Sequence, residues 1–374
     1  EVLATRHPLH PFDPRYFGAD PTGRLFSYAS RYVAASQSSR ARHEGSPSFL
    51  AAPLPAPQLD EVDLEALIRA LKDPTKTFVN KVLELYEPRE EDPLPARERM
   101  DLGNGLERWQ VMTDLIAQHE TAGSADAAYG LLLAQGALPH GTPGQALFVE
   151  RWRVAGEFAA MACTLRGDRQ KPRPAEVSVV VDGVTVRVRG ALSHLGRQGG
   201  DDTHGAVAYS TAGGGFELEM WVRHVFASLA GGPKETWLVQ RVSQMPNHCT
   251  FAPLENPGEV MQGLLRVYAM SQRAPLPLFE KASRALAGAL AGDQEGSGEE
   301  TALDAARHAF ETPGYGDAAP SEAEKWCNRI AWTGQDPFAP DTEAIPGVPE
   351  SSAVRLAETV FAPLLAHRIG IAED

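Results

Sequence analysis

Seven lysines, at positions 72, 76, 81, 171, 234, 281 and 325, decide which phosphate chemistry the chain could perform. A nucleotide-hydrolysing loop needs a lysine directly after a glycine, so that its ammonium reaches the β- and γ-phosphates. None of the seven follows a glycine. The run Gly213-Gly214-Gly215 has no lysine behind it and reads as a turn ahead of a helix. One class of metal-dependent nuclease places an Asp on one strand and Asp/Glu-x-Lys on the next. The carboxylates hold Mg²⁺ and the lysine positions the attacking water. The residues two places before the lysines are Ala70, Pro74, Val79, Arg169, Gly232, Phe279 and Ala323, so that motif is missing. No Gly-x-Ser-x-Gly elbow occurs, and Pro8 between His7 and His10 prevents a helical ligand pair. Cys163, Cys249 and Cys327 are far apart and form no Cys-x-x-Cys, which argues against structural zinc and for a reducing cytoplasm.

Cleavage would need a lysine supplied from elsewhere, together with its carboxylates; the other reading is recognition. Net charge is −14, unevenly spread: +2 over residues 1–46, −9 over 47–150, +3 over 151–241 and −10 over 242–374. A free nucleic-acid binder is usually basic overall, so any DNA contact here must be local. The candidates are Arg151, Arg153, Arg187, Arg189, Arg197 and Arg223, in a window that also holds Arg166, Arg169, Lys171 and Arg173. Arg187 and Arg189 are two apart, which puts them on one face of a strand. The plain alternative for each is a solvated or ion-paired arginine. Asp201-Asp202 reads as a solvated loop pair, the stretch 166–173 as a loop, and Trp152 and Trp221 as core residues of helices.

The elements that would position these groups are legible in the pattern. Leu64, Leu67, Ile68 and Leu71 recur at helical spacing behind Asp60, Glu61 and Asp63. Asp73-Pro74 restarts a helix, with Asp as cap and Pro at the first position. Further helices are expected over roughly 104–119, 123–135, 142–165 and 216–230. Val177–Val181, Asp182-Gly183 and Val184–Arg189 read as a hairpin with a type I′ turn. A third strand is expected at Ala206–Tyr209 and a fourth at Trp237–Val242, followed by mainly helical chain with loops near 291–300 and 334–350. Residues 1–46, rich in proline and aromatics, read as an extended, packed segment, and 47–59 as a linker. The order gives an α/β protein with a small mixed sheet and many added helices. No run of 18 apolar residues occurs, so no membrane helix is expected. The chain opens on Glu1 without a basic or apolar leader, which reads as a beginning within a longer protein.

Several runs resemble a known family. They are His7-Pro8-Leu9-His10-Pro11-Phe12 with Pro14-Arg15-Tyr16-Phe17, Leu25-Phe26-Ser27-Tyr28, and Leu64-Glu65-Ala66-Leu67-Ile68-Arg69 with Asp73-Pro74 and Phe78. They continue with Leu106-Glu107-Arg108-Trp109-Gln110, Leu138-Pro139-His140-Gly141 with Gly144, and Pro275-Leu276-Pro277-Leu278-Phe279. In this order they resemble the carboxy-terminal third of RecC, the gamma subunit of the bacterial RecBCD helicase–nuclease (exodeoxyribonuclease V). The resemblance implies that residues 1–46 end a preceding helicase-like domain. It implies that 60–374 form a PD-(D/E)XK nuclease-like domain with its catalytic residues lost and helices added.

By position, the nuclease pattern Gly-Thr-x-Leu-His falls on Gly144–Phe148, so Phe148 replaces the His. Gly-x-Ile-Asp falls on Gly190–Ser193, so Ser193 replaces the Asp. Asp-Tyr-Lys falls on Ala208-Tyr209-Ser210, so Ala208 and Ser210 replace the Asp and the Lys. These side chains are poor ligands for a hard cation, so no catalytic or metal-binding residue is expected. The implied setting is cytoplasmic and nucleoid-associated, with RecB-like and RecD-like partners that use the ATP and Mg²⁺, and DNA at the unwinding fork. The Asp182-Gly183 hairpin and the 194–205 connection are the candidate projections for a strand-separating pin. An active nuclease with a displaced centre, and a protein scaffold without DNA contact, are the alternatives.

Overall fold

A computed structural model describes residues 7–18, 23–34, 36, 49–88, 105–121, 123–211, 214–243, 245–292, 298–313, 320–339 and 342–370. Gly213 and the start of the expected linker lie outside the described residues. The chain divides into two compact units, residues 1–48 and 49–374. In the first, Asp13 caps a 3₁₀ turn at Pro14–Phe17, and Gly18 ends it at φ +90°. Among its aromatics Tyr28 is 92% exposed and Phe26 67%.

The second unit opens with strand β1 (Glu61–Asp63) and helix α1 (Leu64–Lys72). Asp63 accepts the Ala66 N–H at the start of α1, and the spaced Leu64, Leu67, Ile68 and Leu71 are all buried. Asp73 then caps α2 (Pro74–Thr77), which runs into a π turn at Phe78–Val82. Helices α3 (Gly105–Glu120), α4 (Ala125–Ala134) and α5 (Thr142–Arg166) follow. Next come strands β2 (Asp168–Arg169), β3 (Arg173–Val181), β4 (Val184–Leu192), β5 (Leu195–Gln198) and β6 (Asp201–Thr211). Helix α6 (Gly215–Leu229) leads to β7 (Thr236–Val242) and β8 (Met245–Phe251). The chain closes with α7 (Pro257–Ser271), α8 (Glu280–Gly292), α9 (Gly298–Glu311), α10 (Trp326–Trp332), α11 (Ala353–His367) and β9 (Arg368–Ile369).

The β3–β4 hairpin turns at Asp182 and Gly183, both at positive φ, as a type I′ turn requires. The expected single sheet is in fact two. One runs β1-β4-β3, with β1 parallel to β4. The other runs β2-β5-β6-β7-β8-β9, with β6 and β7 parallel across the α6 crossover. The split falls at Ser193-His194, where the chain leaves β4 and enters β5. His194 takes φ +58° there, a conformation uncommon outside glycine. One core packs α1, α6, α7, α8 and α11 against both sheets. The other packs α3, α4 and α5 against Tyr209, Trp237 and Val239 of the six-stranded sheet.

Three further expectations change. The 194–205 connection is not a loop: β5 pairs with β6 through a Gly199-Gly200 turn, which places Asp201 and Asp202 on a strand. The stretch 166–173 is likewise ordered, because β2 pairs with β5. After β7 the chain makes another strand, β8, before turning helical. Its sequence, Met-Pro-Asn-His-Cys-Thr-Phe, lacks alternation, so its pairing to β7 rather than its pattern makes it a strand.

Candidate functional site

The corner between the two sheets is the candidate site. Ser193 sits on it, and α1 and α6 bring charged side chains to it. Helix α6 is buried along most of its length, including Glu217, Arg223 and His224, so its polar residues must find partners inside. Nη1 of Arg223 donates to Ser193 Oγ at 3.4 Å. Nη2 of Arg223 lies 2.8 and 2.9 Å from the two carboxylate oxygens of Glu65 on α1 and 3.0 Å from Oε1 of Glu219. Lys72, at the end of α1, reaches the other oxygen of Glu219 at 3.2 Å. Burial opposes ionisation of Glu219, but the bonds to Arg223 and Lys72 outweigh it and hold its pKa below the usual carboxylate range.

Beside this cluster lies His194, which is exposed on the surface of the corner. Behind it the Oγ of Thr236 lies 2.6 Å from Nδ1 of His204 and 2.9 Å from Nδ1 of His224. Burial lowers His204 to about 3 and His224 to about 4, so both rings are neutral at pH 7.

The four positions aligned with the nuclease pattern are not gathered in one place. Phe148 is buried on α5, its ring 5.7 Å from Trp152 and 5.1 Å from Tyr129, in the core that also takes Val239. The Ser210 hydroxyl accepts from the Gln240 amide at 3.2 Å. Gln240 neighbours Val239 on β7 and so faces the opposite side of the sheet from Phe148. Ala208 is half-buried on β6. Among the described residues no group of three or more His, Cys, Asp or Glu is placed to hold a metal ion.

The arginines fall into distinct settings. Arg223 is buried in the cluster above. Arg187 and Arg189 do share one strand face, but Glu61 of β1 bridges them at 3.6 and 2.8 Å, and Glu176 of β3 meets Arg189 at 2.5 Å. The Arg189 bond holds the Glu176 carboxyl below its ordinary pKa. Arg197 and Arg173 grip opposite oxygens of Asp202 at 2.8 and 3.1 Å. Arg153 pairs with Glu157 one turn along α5, and Arg151 is half-buried on the same helix. Arg166 is buried against Glu120 at 2.5 Å, with Arg169 3.6 Å from the same carboxylate. Trp221 is fully buried and Trp152 stacks on His119, so both tryptophans belong to the core. Sequence reasoning passed over Glu65, Lys72 and Glu219, which no local motif marks.

Fold and site together define an α/β protein of small mixed sheets flanked by helices, with an ion-paired cluster at the sheet corner. The chain belongs to the RecC C-terminal domain family, whose model matches residues 59–291. The RecBCD enzyme subunit RecC of Mycolicibacterium smegmatis is 28% identical over 293 residues, covering 76% of this chain and 26% of that protein. The RecBCD enzyme subunit RecC of Mycobacterium tuberculosis is 27% identical over 386 residues, covering 98% of this chain and 33% of that protein. The chain thus spans about a quarter to a third of the length of these relatives. Among solved structures, that of SSO0001 aligns with 58% of this chain and 76% of its own at 8% identity, with a TM-score of 0.25. No helix among the described residues is long and apolar enough to cross a membrane.

Proposed function

We propose that this chain is the noncatalytic carboxy-terminal part of a RecC-like subunit, in an ATP-dependent helicase and exodeoxyribonuclease of double-strand-break repair and recombination. Its work is to brace RecB-like and RecD-like motor subunits and to guide or split strands at the unwinding fork. ATP and Mg²⁺ are used by those partners and not by this part. The setting is cytoplasmic and nucleoid-associated. The order α5, β3, β4, β6, α6, β7 supports a PD-(D/E)XK-like core over residues 60–374. The observation that carries the noncatalytic reading is the contact of Ser193. The aligned Asp position holds a hydroxyl, and the group facing it is a guanidinium. A metal site needs anionic oxygens there.

Strand separation needs a rigid wedge and no chemistry, because translocation supplies the energy. The β3–β4 tip suits that role better than the β5–β6 tip. Val180 and Val184 stand 56% and 52% exposed beside the turn, and Arg266 of α7 braces it through Asp182 at 2.8 Å. The β5–β6 tip is Gly199-Gly200 next to Asp201. Phosphate contact falls to the exposed Arg153, Arg187, Arg189 and Arg197, by exchange of their present carboxylate partners, and to the half-buried Arg151. Arg223 is committed inside.

The test has two arms. Linear DNA incubated with the chain and Mg²⁺ stays intact on this reading, and digestion identifies an active nuclease instead. Fork DNA crosslinks to residues 151–241 within the assembled complex on this reading. Its absence there, with crosslinks to the partners alone, identifies a scaffold that does not touch DNA.

A further inference from the structure

His204, Thr236 and His224 form one line of hydrogen bonds inside the corner, and the β6–α6–β7 crossover puts them there. Gly205 is in register with Trp237 across the parallel β6–β7 pair, so the residues before them, His204 and Thr236, lie side by side. Helix α6 brings His224 to the same hydroxyl. All three side chains are buried. Nδ1 of each ring meets Oγ of Thr236, at 2.6 Å for His204 and 2.9 Å for His224. Nε2 of His224 lies 3.1 Å from the carbonyl oxygen of Ala252. With both rings neutral, protons fit this line in one way only. A carbonyl oxygen can only accept, so Nε2 of His224 donates to Ala252. A neutral imidazole has a single N–H, so Nδ1 of His224 is bare and takes the Thr236 hydroxyl hydrogen. The threonine oxygen must then accept from Nδ1–H of His204, and Nε2 of His204 is left without a proton.

We infer that Thr236 locks the two rings in opposite tautomers, and that the corner accepts one further proton, on Nε2 of His204, which then donates to the Ser193 backbone carbonyl. A bond to that carbonyl favours the charged form of His204, and Nε2 is the nitrogen free to make it. A proton arriving at Nδ1 of His224 would instead displace the hydroxyl hydrogen already there. The groups that face the two rings are His194 at the corner, Arg223 on α6 and His367 at the end of α11. All three are basic and oppose added charge, so the line takes up one proton and resists a second. Burial is the leading influence on each ring and would charge His224 first, at about 4, and His204 later, at about 3. The hydrogen-bond line reverses that order. The proton lands against the backbone of the residue whose hydroxyl Arg223 holds. Acid thereby adds a bond from β6 to the joint between the two sheets.

The experiment is nuclear magnetic resonance of the full chain, isotope-labelled at the histidine ring nitrogens, whose shifts separate a protonated nitrogen from a bare one. At pH 7 His204 is expected with its proton on Nδ1 and His224 with its proton on Nε2. As the pH is lowered, Nε2 of His204 gains a proton before Nδ1 of His224 does. Thr236→Val keeps the shape of the side chain and removes the hydroxyl, so His204 moves its proton to Nε2 and donates to Ser193 already at pH 7. Thr236→Ser keeps the hydroxyl and restores the Nδ1 tautomer. A proton on Nε2 of His204 in the unaltered chain at pH 7 overturns the assignment. So does a titration in which His224 charges first, or a folded Thr236→Val chain in which the His204 proton stays on Nδ1. Should Thr236→Val not fold, the spectra of the unaltered chain decide alone, because the tautomer pair and the order of protonation are both read there.

Discussion

Glu217, in the first turn of α6, and Arg368, on the last described strand, meet at 2.8 Å, and the glutamate side chain is wholly buried. Arg284 of α8 reaches the same carboxylate oxygen at 3.2 Å. One carboxylate therefore ties α6, α8 and β9 together. Removing one member of a buried ion pair leaves the other uncompensated and typically costs about 3–5 kcal/mol. Glu217→Gln is expected to lower stability by that order, read as a shifted urea midpoint with an unchanged slope. A loss below about 1 kcal/mol would mean that the guanidiniums find water or another acceptor.

Gly144 belongs to one of the runs that carry the family resemblance, and the structure gives it a steric reason. A Cβ there would lie 1.8 Å from the Pro139 carbonyl oxygen. Gly144→Ala must push the 138–141 turn away from α5, and overpacking of this kind costs about 1–3 kcal/mol. Thermal unfolding checks this. An unchanged midpoint would show that the turn yields freely.

Acid should loosen the sheet corner. The buried His224 titrates near 4 and the buried His204 near 3 when folded, against about 6.5 in the unfolded chain. The unfolded state therefore binds more protons below pH 6.5. Stability is full above that pH and falls as pH drops towards 4, by up to about 1.4 kcal/mol per pH unit for each histidine. Urea midpoints between pH 7 and 5, above most carboxylate titration, isolate the effect. A flat profile there contradicts it.

Asp202 holds two exposed arginines by one carboxylate. Surface pairs of this kind contribute about 0–1 kcal/mol, so Asp202→Asn should barely change thermal stability. It releases Arg173 and Arg197 for phosphate, so fork-DNA affinity of the assembled complex should rise and its salt dependence steepen. Unchanged affinity and slope would remove this rim from the DNA path.

What the sequence disclosed was whatever neighbours in the chain decide. The Asp182-Gly183 turn, the Asp73 cap with Pro74, and the stripe from Leu64 to Leu71 each follow from residues a few places apart, and each stands as expected. Arg223 could not be read that way. Its carboxylate partner Glu65 is 158 residues distant, and α6 looks like an ordinary surface helix until both of its sides are found covered. The extent of β6 and the existence of β8 were hidden for a related reason. Pairing with a neighbour, not alternation along the strand, makes Met245 to Phe251 a strand.

The two sheets are joined through Ser193 and His194, with β4 running out of one and β5 into the other. A load on the β3–β4 tip is thus delivered to the six-stranded sheet along a continuous backbone, with no slack loop to absorb it. The hinge of that lever is the left-handed His194, and the strut that stiffens it is the Arg223 bond to Ser193. On the proposed wedge reading, this corner is where the load on the tip would be carried.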